Sequence, residues 1–325
     1  MQRVFITGAT GFLGTNLVRQ LIAADVEVHA LKRQTSDTRE LDNLPVHWHI
    51  GDVTHHQSLL AACPENMDVF FHAAADTSMW KRKNTTQNRI NLTGTDNAIA
   101  VAIERRAKRF VHTSSIAAYG VHDTLITEAT EQLGEQSFCN YYRTKHLSEK
   151  AVKKAVAEQQ LDAVILNPCH LVGAPDHHNW SQMIDMVDKD RLPGVPPGLG
   201  SFCDIKEVAR AHLLAAEQGR TGENYILSGK DLSFVAFVSE IGQMLGKKTP
   251  KRATPAWVLK TFAQLSVLGA NVTGREPELT PEKALIVCDQ LQVSSAKAQQ
   301  ELGYRADTDV QSALRDCYDW MQSLS

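Results

Sequence analysis

The chain has 325 residues, with 34 Lys+Arg against 37 Asp+Glu and a formal net charge of −3. That balance lacks the basic excess by which nucleic-acid binders meet phosphates, and 43% hydrophobic with 22% charged residues is a globular, not a disordered, composition. The length accommodates two folding units, or one large α/β unit with an appended lobe.

In chain order, Arg3 to Thr7 reads as a β-strand and runs straight into Gly8-Ala-Thr-Gly11-Phe-Leu-Gly14. Phe12, Leu13, Leu17, Val18, Leu21 and Ile22 then follow helical spacing. Val26 to Leu31 is a second strand ending in Lys32-Arg33, and Val46–Ile50, Val69–His72, Phe110–Thr113 and Leu161–Asn167 read as further strands. Helical stretches lie between them near 55–62, 87–106 and 141–158. Strands alternating with helices at this spacing predict a Rossmann-type, doubly wound parallel sheet. Beyond Pro168 the pattern changes: Leu192 to Gly200 is a Pro/Gly-rich loop, Lys206 to Glu217 is helical, Asn224 to Leu227 is a strand, and the rest is mostly helical. The expected organisation is a dinucleotide-binding unit over 1–168, to which 201–229 return. A smaller, mostly helical substrate lobe takes 169–200 and 230–325. The six cysteines are dispersed, as in a reduced protein without a disulfide framework. With a strand beginning beside Met1 and no apolar run of membrane length, a cytoplasmic protein without membrane contact is the expectation. Ala256 to Val272, with Trp257, Phe262, Leu265 and Leu268 as an apolar stripe, is expected to be a buried helix.

Gly8, Gly11 and Gly14 sit between a strand and a helix, the context in which backbone approaches a pyrophosphate at a helix N-terminus. Thr10, Phe12 and Leu13 belong to the same turn. At the end of the second strand, 19 positions past Gly14, stands Arg33 rather than the carboxylate that would hold the ribose hydroxyls of NAD. A guanidinium pairs with a 2′-phosphate, so NADP(H) is favoured, with NAD(H) still open. Tyr141 and Lys145 are four residues apart, on one face of a helix, where an ammonium favours the phenolate. Thr113-Ser114-Ser115 ends a strand at the edge where ligands bind in such sheets. Ser115 is taken as the hydroxyl that meets a substrate carbonyl, with Ser114 as the alternative.

Taken together, these segments, with Gly51-Asp52-Val53, His72-Ala-Ala-Ala75, Asn91-Leu-Thr-Gly-Thr95, Asn167-Pro168 and Phe202 to Ala209, resemble an extended short-chain dehydrogenase/reductase. Within that superfamily they most resemble the branch of dihydroflavonol 4-reductases and 3β-hydroxysteroid dehydrogenases. The resemblance implies that Tyr141 exchanges the proton, Lys145 holds the nicotinamide ribose and Ser115 orients the carbonyl. It also implies that Asp52, Val53, Ala73, Ala74 and Ala75 line the adenosine side, with Thr113, Pro168, His170 and Leu171 around the nicotinamide. A homodimer is a further family expectation. Ser78, Trp80, Asn179 and Trp180 lie in loops that overhang such a site and are taken as substrate contacts. Dehydratases of this superfamily carry an acid where Ile116 stands, and epimerases an arginine where Ser201 precedes Phe202. His47, His49, His55, His56, His177 and His178 lack a supporting ligand pattern, so no metal is expected. The expected activity is NADP(H)-dependent interconversion of a small-molecule carbonyl and its alcohol. A nucleotide-sugar epimerase holding NAD, or a dinucleotide-sensing protein without turnover, are the alternatives.

Overall fold

The computed structural model describes residues 1–273, 276–305 and 309–324. Its first half alternates as β1 (Arg3–Thr7), α1 (Phe12–Ala23), β2 (Glu27–Lys32), β3 (Val46–Ile50), α2 (His56–Ala62) and β4 (Val69–His72). There follow α3 (Asn84–Asn88), α4 (Gly94–Glu104), β5 (Arg109–Thr113), α5 (Asn140–Gln159) and β6 (Ala163–Pro168). The second half runs β7 (His170–Val172), α6 (Trp180–Asp188), β8 (Leu199–Asp204), α7 (Ile205–Gln218), β9 (Asn224–Leu227), β10 (Lys230–Ser233) and α8 (Phe234–Leu245). It closes with α9 (Ala256–Thr273), α10 (Pro281–Cys288), α11 (Ala296–Leu302) and α12 (Val310–Ser323).

The large sheet is parallel, in the order β3-β2-β1-β4-β5-β6-β9. Its central strands are almost wholly apolar because both faces are covered, the pattern that parallel sheets require. Val4, Ile6, Phe71, Val111 and Leu166 point to the face covered by α1 and α7. Phe5, Phe70, Phe110 and Ile165 point to the opposite face, under α2, α4 and α5. The chain order reverses between β1 and β4, which opens a crevice at their carboxyl ends.

A three-stranded sheet, β10-β8-β7, carries the smaller lobe. Its core is aromatic: Phe202 stacks on Phe237 at 4.0 Å between ring centres, Trp180 meets both edgewise, and Phe234 meets Phe202 edgewise and Trp180 at a tilt. Val310, Ala313, Leu314 and Cys317 of α12 complete it. β8 belongs to this sheet, whereas α7 packs on α1 and β9 pairs with β6.

Two expectations change. The helix over 87–106 is interrupted: Arg89–Thr93 forms a wide π-type turn between α3 and α4, a device that re-aims side chains inside a helix. The stripe on α9 is not core. Trp257, Phe262, Leu265 and Leu268 are 71%, 55%, 60% and 63% exposed. The helix lies at the molecule's margin, packed against α10, and turns the small Ala263 and Ala270 inward. Close packing through alanines buries a narrow strip and leaves the broad apolar arc outside.

Candidate active site

The turn after β1 brings backbone to backbone. Gly8 has φ +78°, and a Cβ there would lie 2.6 Å from the Ala73 carbonyl carbon and the Ala74 amide. At Gly14 a Cβ would lie 2.0 Å from the Gly8 carbonyl oxygen. Only glycine leaves this cradle open. Gly11 precedes α1 without a side-chain cap, so the first amides of the helix, beside Thr10 and Phe12, remain available to an anion. Leu13 anchors the turn in the core. Across the crevice, Thr7 Oγ1 lies 2.8 Å from His72 Nδ1, and His72 Nε2 lies 3.1 Å from Thr95 Oγ1. Burial holds His72 near 3, so this clamp between β1, β4 and α4 stays neutral.

Along the rim, Arg33 is exposed at the end of β2, and its amide donates to Ser36 Oγ. The next carboxylate along the chain, Asp37, is engaged by Arg39. Asp52 Oδ1 accepts the Thr54 amide, and Val53 packs against Gly94 within the apolar cluster that Ala74, between Ala73 and Ala75, also borders. These groups and the glycine cradle fit a dinucleotide laid across the reversal point.

The chemical corner lies between β5 and α5. Alternation at the end of β5 sends Ser114 and Ser115 opposite ways. Ser115 Oγ accepts the Ala117 amide at 3.2 Å, and its hydroxyl lies on the Tyr141 side, where it works to lower the phenol's pKa. Ser114 donates to Glu149, away from Tyr141. Of the two serines, only Ser115 therefore lies on the phenol's side. One turn along α5 from Tyr141, Lys145 Nζ donates to the Thr113 carbonyl at 2.9 Å and stands 5.9 Å from the centre of the tyrosine ring. The sequence predicts that this lysine lowers the phenol's pKa, but burial dominates and pushes Tyr141 up to about 12, opposed by the Ser115 hydroxyl. Burial also pulls Lys145 down to about 8, with Glu149 raising it.

Glu149 was not among the residues the sequence reading singled out. It is 0% exposed, yet accepts from Ser114, from Asn167 Nδ2 at 2.5 Å, Asn224 Nδ2 at 2.8 Å and Gln132 Nε2 at 2.6 Å. Asn167 also donates to the Ser115 carbonyl at 3.0 Å. One carboxylate thus ties α5, β5, β6 and β9 behind the serine turn. The signal was available: Glu149 is four residues past Lys145, and Tyr141, Lys145 and Glu149 share a helix face.

Over this corner lies the loop after β4. Asn91, on the π-type turn, accepts the Asp76 amide at 2.7 Å and donates to the Asp76 carbonyl and Thr144 Oγ1. Ser78 is held through its backbone by Asp76 and Gln87, and Trp80 is half-buried under Arg82. Met79, Tyr141 and, from α10, Leu285 and Ile286 all pack against the cluster of Ala117, Cys139 and Tyr142. Ile116, Ala117, Tyr142, His170, Ile286 and Leu291 line an adjoining cavity. Pro168 ends β6, and His170 and Leu171 start β7 beside it. Burial holds the His170 ring neutral, near 4. Trp180 packs into the aromatic core and Asn179 turns back onto Asp176, so both side chains are engaged within the small lobe.

Residues 4–228 match the family model described as the NAD dependent epimerase/dehydratase family. A Synechocystis sp. protein provisionally named dihydroflavonol 4-reductase is 31% identical over 98% of this chain and 94% of its own length. A 4-hydroxy-2-methyl-3-oxo-4-farnesyl-3,4-dihydroquinoline-1-oxide ketoreductase of Stigmatella aurantiaca is 29% identical over 96% of this chain and 94% of its own. The crystal structure of gox2253 superposes with a TM-score of 0.87 at 28% identity, covering 100% of this chain and 99% of that one.

Proposed function

This chain belongs to the NAD-dependent epimerase/dehydratase family, and from that membership we propose that it is an NADP(H)-dependent oxidoreductase interconverting an apolar carbonyl compound and its alcohol. The observation that carries the reading is the convergence of three groups: the Lys145 ammonium, anchored on the Thr113 carbonyl, stands 5.9 Å from the Tyr141 ring centre, with the Ser115 hydroxyl on the phenol's side. In the direction of reduction, the carbonyl oxygen accepts from both hydroxyls, which stabilises the charge developing there. Tyr141 passes its proton to that oxygen, and the Lys145 cation favours the phenolate left behind. A bound nicotinamide dinucleotide supplies the hydride chemistry, held by the Gly8–Gly14 turn, Lys145 and the backbone at Pro168 and His170.

Support for NADP(H) comes from Arg33, exposed at the rim with no competing carboxylate at the end of β2. Support for an apolar substrate comes from Met79, Leu285 and Ile286, which share with Tyr141 the cluster formed by Ala117, Cys139 and Tyr142. Fluorescence titration with NADPH and NADH, followed by turnover of an aldehyde and ketone panel, tests the reading. NADPH should bind more tightly and carbonyl reduction should follow. Equal affinities would remove the role given to Arg33. Tightly held NAD with sugar-nucleotide turnover and no net reduction would replace the reading with an epimerase.

A further inference from the structure

We propose that α9 and the basic loop before it dock this protein onto an anionic lipid surface. Three observations converge. The first is the inverted burial of α9, which exposes Trp257, Phe262, Leu265 and Leu268 and buries alanines. At about 100° per residue, Trp257, Leu265 and Leu268 lie within about 80° of arc, with Phe262 extending the face. A contiguous exposed patch of this kind marks a binding surface.

The second is charge. From Gly246 to Arg275 the sequence holds six Lys/Arg and no Asp/Glu, in a chain whose net charge is −3. Lys248, Lys251, Arg252 and Lys260 are exposed, and Lys247 bridges to Asp190 at 2.6 Å. The first acid after the segment, Glu276, is met by Lys83 and Lys283. Trp, Phe and Leu on one face, with lysines and arginine at its margin, is the pattern of a helix lying in a membrane interface.

The third is length. Among the described residues no helix is long and apolar enough to cross a membrane. The 18 residues of α9, interrupted by Lys260, are suited to lying along a surface. Charge also decides between occupants: a second copy would set like-charged loops near one another, whereas anionic headgroups neutralise them. The docked face adjoins the site, because α9 packs on α10, which carries Leu285 and Ile286 to the cluster that Tyr141 also packs against.

The test is co-flotation of the full chain with phosphatidylcholine vesicles, with and without phosphatidylglycerol. Binding is expected only with phosphatidylglycerol, weakening as salt rises. It should come with a blue shift in tryptophan emission that Trp257→Phe removes. At roughly fivefold per basic side chain, Lys248→Glu/Lys251→Glu/Arg252→Glu should weaken binding by at least about 100-fold, and Leu265→Ser/Leu268→Ser by about tenfold or more. Both variants should keep the melting temperature and turnover of a water-soluble carbonyl, so a failure of docking reads separately from a failure of the catalytic reading. Equal binding to both vesicles, binding to neither, or a dimer that either variant dissolves would overturn the proposal.

Discussion

The corner around Glu149 and the outer face of α9 break the inside–outside rule in opposite directions. At the first, a carboxylate is fully buried; at the second, a tryptophan, a phenylalanine and two leucines stand in solvent. The buried exception is resolved within the chain, by donors from Ser114, Asn167, Asn224 and Gln132. The exposed exception has no such internal resolution. Buried polarity therefore positions the chemistry, while exposed apolarity points to something outside the molecule.

The largest expected effect tests the corner directly. Tyr141→Phe should lower kcat for carbonyl reduction by about 10²–10⁴-fold, the worth of a positioned proton donor, with NADPH affinity little changed in a fluorescence titration. Retained turnover would break the assignment. Glu149→Ala strands four donors and should destabilise the fold by about 3 kcal/mol or more in urea unfolding. Glu149→Gln, which keeps the shape, should cost less.

The pH profile sharpens the same point. Lys145, lowered to about 8, is cationic below that pH and neutral above it. Its hold on the cofactor, and with it kcat/KM, should therefore fall as pH rises through about 8. Because Glu149 raises Lys145, Glu149→Gln should move that limb to lower pH; an unmoved limb would reduce Glu149 to a purely structural strut. At the rim, Arg33→Ser should weaken NADPH by about tenfold through loss of a charge-assisted contact and leave NADH nearly unchanged. The smallest effect belongs to α9. Leu268→Ser should change stability by less than about 0.5 kcal/mol, and a large loss in thermal melting would show that this face is packed after all.

Much of the site was legible because its signals are local. The glycine spacing between a strand and a helix places the cradle, and the four-residue step from Tyr141 to Lys145 places two groups on one face. That Glu149 captures Ser114 could not be read locally, since it depends on how α5 packs on the sheet. Asn91 lay in a plain helical pattern, and its engagement of Asp76 depends on the π-type turn that re-aims it. Trp180 looked like a loop residue over the site because the small sheet that packs its ring pairs β7 with β8, far apart in sequence.

The sequence by itself determined the elements of the large sheet, the glycine turn and the tyrosine–lysine pair, all encoded in residues a few positions apart. Tertiary structure decided the rest. Burial dominated the pKa of Tyr141, because desolvation depends on everything packed around a group. The near-neutral charge of the whole chain proved to contain a 30-residue stretch without a single acid. Periodicity showed that α9 has an apolar face but not which way it turns, because the same stripe serves core or surface until a neighbour is in place.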